Sequence, residues 1–202
     1  MTTSPAPKIP TITVGLRPFD ASPPVEGEPP AVSALLVTFS ALPDGGARFS
    51  FTLEGRIAAL RVPVAGAPAS EPLWQHTCFE AFLSASGADS YREYNFSPAG
   101  LWATSRFQRY REAEADAPTL TSAPISFPIL EPNQRDERLT LDVELPSALL
   151  PSGTLLRVGL AAVIEHADGH LDYWALRHPG AKPDFHLREG WTLMLDTQLV
   201  AQ

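Results

Sequence analysis

The chain has 202 residues, 44% of them hydrophobic and 19% charged, which is enough apolar material for one domain with a sizeable core. Its 15 basic and 23 acidic side chains leave a net charge of -8, so the average surface repels nucleic-acid backbones and anionic lipid, and neither is expected as a partner. The single cysteine, Cys78, excludes an internal disulfide and a thiolate metal cage built within one chain.

The opening M-T-T-S-P-A-P-K-I-P lacks the basic start and apolar run of a secretory signal. The longest apolar run, Val158 to Ile164, is too short to span a bilayer. A soluble protein of a reducing compartment, the cytoplasm, is expected. Residues 1–30 read as an N-terminal segment and a proline-rich connector, P-F-D-A-S-P-P-V-E-G-E-P-P, and residues 31–202 as the folded domain.

From there the pattern has period two. A-L-L-V-T-F leads through D-G-G into R-F-S-F-T-L-E, a hairpin signal because glycine supplies the positive φ of a tight turn. Further strands are predicted at I-A-A-L-R-V, T-C-F-E-A-F-L, Y-R-E-Y-N-F, W-A-T-S-R-F, L-T-L-D-V-E-L, L-R-V-G-L-A-A-V-I, L-D-Y-W-A-L and W-T-L-M-L. Helix is confined to two candidates, P-S-A-L-L-P and the polar Y-R-E-A-E-A-D-A, and Arg111 to Arg138 reads as proline-rich loop with one strand. Many short strands between turns imply an all-β fold, an antiparallel two-sheet β-sandwich of jelly-roll or immunoglobulin-like kind.

Three stretches concentrate polar chemistry. If residues 73–83 form a strand, alternation places Trp74, His76, Cys78, Glu80 and Phe82 on one face. Glu93 and Asn95 share a face of the next strand, and Trp102, Thr104 and Arg106 a face of the returning one. Should that hairpin lie beside the first strand, Glu80, Glu93 and Arg106 could meet, the arginine fork holding both carboxylates. The third stretch is H-P-G-A-K-P-D-F-H, in which His178, Lys182, Asp184 and His186 follow Trp174 in a loop stiffened by prolines. Each group also has a purely structural explanation, as core aromatics, register-setting ion pairs or a polar turn.

The segments W-Q-H-T-C-F-E-A-F-L, E-Y-N-F-S-P-A-G-L-W-A and Y-W-A-L-R-H-P-G-A-K-P-D-F-H, spanning roughly residues 73 to 187, resemble those of bacterial DOMON-like proteins. That group in turn resembles the family-nine carbohydrate-binding modules. The resemblance implies an antiparallel β-sandwich and a non-catalytic ligand-binding role, with a sugar or sugar derivative as the small-molecule partner. Aromatic platforms beside carboxylates, amides and guanidinium groups suit sugar rings. The resemblance equally admits haem, for which His76, His178, His186 and Met194 are the axial candidates. A third alternative is an enzyme, using Glu80 and Glu93 as an acid/base pair or His178, Asp184 and His186 around a metal. No catalytic residue and no cofactor is assigned.

Overall fold

The computed structural model describes residues 11–19, 30–43, 45–64, 66, 72–114, 129–132, 137–153 and 155–196. Their strands are β1 (Thr11–Gly15), β2 (Arg17–Pro18), β3 (Val32–Ala41), β4 (Ala47–Gly55), β5 (Cys78–Ala85), β6 (Tyr91–Phe96), β7 (Trp102–Arg109), β8 (Glu112–Ala113), β9 (Ile129–Pro132), β10 (Glu137–Leu145), β11 (Leu155–Glu165), β12 (Leu171–Ala175) and β13 (Leu193–Asp196). They form two antiparallel sheets, one of five strands in the order β1-β3-β4-β10-β9 and one of eight, β2-β12-β11-β5-β6-β7-β8, with β13 also paired to β11. The expected all-β sandwich is what the chain adopts, and the described residues contain no α-helix.

Alternation explains the smaller sheet. Val37 and Phe39 of β3, Phe49, Phe51 and Leu53 of β4, and Leu139, Leu141 and Val143 of β10 are buried, while their neighbours in sequence face outward. From the larger sheet Phe79, Ala81, Leu83, Tyr94, Phe96, Leu156, Leu160 and Ile164 close the same core. Phe51 and Phe79 stack at 5.0 Å between ring centroids, one ring from each sheet. Truncating either ring costs about 3–5 kcal/mol in a core of this kind.

The larger sheet is different, because its central strands are buried on both faces. Cys78 to Ser84 of β5 are all buried, as are Val158 to Glu165 of β11. A second apolar layer of Phe82, Tyr91, Phe107, Ala161, Ala175 and Trp191, with Phe185 packed against it, covers the face turned away from the sandwich core. The cover comes from the chain between β12 and β13. Trp191 lies on Phe82 at 5.6 Å and 23° between planes. It sits directly over Gly159, where an added Cβ would fall 2.2 Å from the indole Cδ1.

Several local expectations are corrected. I-A-A-L-R-V is a 3-10 turn at Ile57–Ala59 rather than a strand, leaving Leu60 in a single bridge to His166. Residues Leu73–Gln75 are another 3-10 turn, so β5 begins only at Cys78. P-S-A-L-L-P contributes the 3-10 turn Ser147–Leu149, and the start of Y-R-E-A-E-A-D-A turns back as β8 against β7. In that turn Arg111 adopts a φ of 55°. The N-terminal segment supplies an edge strand to each sheet, β1 beside β3 and β2 beside β12. The proline-rich connector at residues 20–29 lies outside the described residues, as do 115–128 and 133–136 on either side of β9.

One prediction follows from the Gly159 contact. Gly159→Ala should overpack the Trp191 site and cost about 1–3 kcal/mol, roughly 2–4 °C of melting temperature per kcal/mol in a chain of this size. An unchanged thermal melt would show that the indole can move aside without loss.

Candidate functional site

The polar groups of the larger sheet's outer face are placed by strand register. Glu80 of β5 pairs with Asn95 of β6, and Phe82 pairs with Glu93. On the far side Glu80 pairs with Ala161 of β11. Glu80, Glu93, Asn95 and Cys78 therefore share one face and are all buried, Glu80 to 3% exposure. Asn95 donates its amide Nδ2–H to Glu93 Oε1 at 2.7 Å, and the Cys78 thiol lies 3.6 Å from Asn95 Oδ1.

Burial pushes the Glu80 carboxyl well above the ordinary carboxylate value, and the neighbouring Glu93 adds to the shift. Glu93 is raised too, again by burial, although the Asn95 hydrogen bond and the charge of Arg111 oppose it. Burial likewise raises the Cys78 thiol, with help from both carboxyls. Such a thiol is packing, since nucleophilic character needs a lowered value.

His186 sits over this face in an aromatic box. Its ring meets Phe82 at 5.3 Å, Phe107 at 5.1 Å and Tyr91 at 5.9 Å, each edge-on. Tyr91 Oη is 2.7 Å from His186 Nδ1 and accepts the Arg111 backbone N–H at 3.1 Å. The other ring nitrogen, Nε2, lies 3.7 Å from Glu93 Oε2. Burial, then the charge of Arg111, lowers the histidine from 6.5 to about 4 against the opposing pull of Asp184.

Asp184 clasps the cover to the β7–β8 turn. It accepts Tyr110 Oη–H at 2.6 Å, Arg111 Nη2–H at 2.9 Å and the His186 backbone N–H at 3.1 Å. Burial would raise this carboxyl, but those hydrogen bonds and the Arg111 charge outweigh it and hold it below its usual value. At the other end Arg188 reaches the carbonyls of Ala88, Asp89 and Ser90 and lies over the Tyr91 and Trp191 rings. Between the cover and β11 and β12 remains a crevice of about 10 Å³, lined in part by Ala161, Ala175, Asp184 and Phe185. That is about the room one water needs.

The structure thus brings Glu80, Glu93, Asn95, Asp184 and His186 to one region and takes the other expected residues elsewhere. Arg106 does not meet the carboxyls. It pairs with Arg92, on the opposite face from Glu93, whose partner is Ser105. Trp102 and Trp174 belong to the sandwich core, with indole N–H groups buried and unpartnered among the described residues, so neither is a platform. Trp74 and His76 precede the strand and lose its alternation. Trp74 is 52% exposed, while His76 Nδ1 lies 2.8 Å from Glu165, which Arg61 also binds at 3.0 Å. His178 Nε2 turns away to the Arg17 carbonyl at 2.9 Å, and Lys182 is exposed. His178, Asp184 and His186 hence do not form the proposed metal triad, and the described residues hold no group of three His, Cys, Asp or Glu side chains able to bind a metal. Met194, offered as a haem ligand, lines a separate apolar crevice with Ile12 and Val14.

Sequence reasoning passed over Tyr91, Phe107, Arg111 and Trp191. Tyr91 was open to it, being two residues before Glu93 and so on the same face. Arg111 and Trp191 arrive through a turn and a loop, which no periodicity announces.

The two titrating groups predict opposite pH slopes. An unfolded chain protonates His186 near 6.5 and the folded one only near 4, so stability falls as pH drops through that interval. Glu80 keeps in the fold a proton that the unfolded chain releases near 4.5, so its contribution is full below that value and is lost as pH rises through the higher folded value. Denaturant unfolding from about pH 4 to about pH 9 should show His186→Phe flattening the acid limb and Glu80→Gln the alkaline one. Equal slopes in wild type and variants would mean that neither group titrates differently on folding.

No family model matches the chain, and no curated protein does. Among solved structures the chain is similar to the crystal structure of a protein from Bacteroides uniformis described as a "putative carbohydrate-binding protein". The TM-score is 0.53 over 81% of this chain and 78% of that one, at 13% sequence identity, which is a likeness of fold.

Proposed function

We propose that this sandwich is a non-catalytic ligand-binding domain of the DOMON-like kind, and that its small-molecule ligand is a carbohydrate or sugar derivative. The observation that carries the reading is the convergence of Glu80, Glu93 and Asn95 on one sheet face, beside an aromatic layer that keeps water out. A folding core has no use for two carboxyls in a dry layer, because burying polar groups that are not fully paired costs stability. A ligand rich in hydroxyls would complete their hydrogen bonding.

The crevice beside this face, lined in part by Phe82, Ala161, Asp184 and Phe185, has room for about one water and not for a sugar ring. The fold likeness to a protein described as binding carbohydrate supports the same class.

The test is thermal unfolding of the full chain with a panel of mono- and oligosaccharides. A ligand that binds only the folded state raises the melting temperature, by about 2.7 kcal/mol of stability at a concentration one hundred times Kd. Asn95→Ala should remove most of that rise, since it deletes the amide that holds Glu93. No rise with any sugar, or an undiminished rise in Asn95→Ala, would rule out this face as a sugar site.

A further inference from the structure

Most buried or half-buried carboxylates in the described structure face an arginine or a histidine. Glu165 has Arg61 at 3.0 Å and His76 at 2.8 Å, Asp184 has Arg111 at 2.9 Å, and Asp172 has His166 at 2.7 Å and His170 at 3.2 Å. Glu80 and Glu93 depart from the pattern. The basic group nearest Glu93 is His186, 3.7 Å away and neutral, and Arg111, whose charge Glu93 senses, is committed to Asp184. The Glu80 carboxyl has no hydrogen-bond partner among the described residues, although the residue is only 3% exposed on the face where the site lies.

Unfilled acceptors gather beside the pair. One of the two Asn95 amide N–H groups is given to Glu93, and Tyr91 Oη and His186 Nδ1 share a hydrogen bond. The Glu80 oxygens and the second Glu93 oxygen have no hydrogen bond among the described residues, and Asn95 Oδ1 has only the long thiol contact. From this we infer that the ligand carries a protonated amine, as an amino sugar or similar aminated polyol does, and that its ammonium lies against Glu80, Glu93 and Asn95 Oδ1. Three N–H donors meet three acceptor groups, and a cation supplies the charge that the two carboxyls lack.

The inference rests on the sugar-binding reading above and names its ligand class. Titration calorimetry on the full chain near neutral pH, in EDTA so that no divalent cation competes, would compare glucosamine with glucose, galactosamine with galactose, and glucosamine with N-acetylglucosamine. The amines should bind at least about tenfold more tightly than their neutral partners. Binding should also release protons from the carboxyl pair, seen as a dependence of the heat on the buffer's ionisation enthalpy. Glu80→Gln, which keeps the size of the side chain and removes its ionisation, should abolish both the preference and the proton release. If neutral sugars bind as tightly as amines, or Glu80→Gln keeps the preference, the amine assignment fails while the sugar reading stands. If no sugar of either kind binds, both fail.

Discussion

Trp191 lying on Phe82 over Gly159 is the contact on which the site depends. It fastens the chain between β12 and β13 to the outer face of the larger sheet and turns a solvent-facing surface into a second dry layer. Without that layer Glu80 and Glu93 would be ordinary surface carboxylates, and His186 an ordinary histidine. Their shifted protonation has burial as its first cause in every case. The indole needs the glycine because any Cβ at position 159 would stand where the ring does.

The two sheets therefore divide the work. The smaller one is apolar inside and polar outside, its outer face carrying ion pairs such as Arg138–Glu54 at 2.6 Å. Such exposed pairs contribute about 0–1 kcal/mol each. Stability comes instead from the aromatic contact between the sheets, and the larger sheet can then afford polar groups on its other face. Asp184 and Arg188 clamp the cover at its two ends, to the β7–β8 turn and the β5–β6 turn, so the box around His186 is held from both sides. On the sheet, Tyr91 meets His186 of the cover, while Glu93 is held by Asn95 of its own strand.

Glu93 and Asn95 show what strand periodicity can reach. They are two residues apart in a strand, so they share a face whatever the strand pairs with. Arg106 shows where it stops. Its parity within β7 was clear, but which parity lies beside Glu93 is set by pairing register, and a shift of one residue exchanges the faces. The register here joins Arg106 to Arg92. Trp74 and His76 failed for a different reason: a 3-10 turn replaces the first residues of the expected strand, and the alternation ends with it.

By itself the sequence determined the all-β sandwich, the main strands, the place of Glu80 opposite the packing face of its strand, and the common face of Glu93 and Asn95, because a period of two is a local property of an extended backbone. It also marked His178 to His186 as unusually rich in polar groups. Only the tertiary structure decided that this segment divides, with His178 turned to Arg17 and Asp184 and His186 folded down over the sheet. Only it decided that Trp102 and Trp174 are core and that Trp191 and Arg111 belong beside the carboxyls. Those outcomes depend on contacts between residues far apart in the chain, made through turns and a loop whose paths no local pattern encodes.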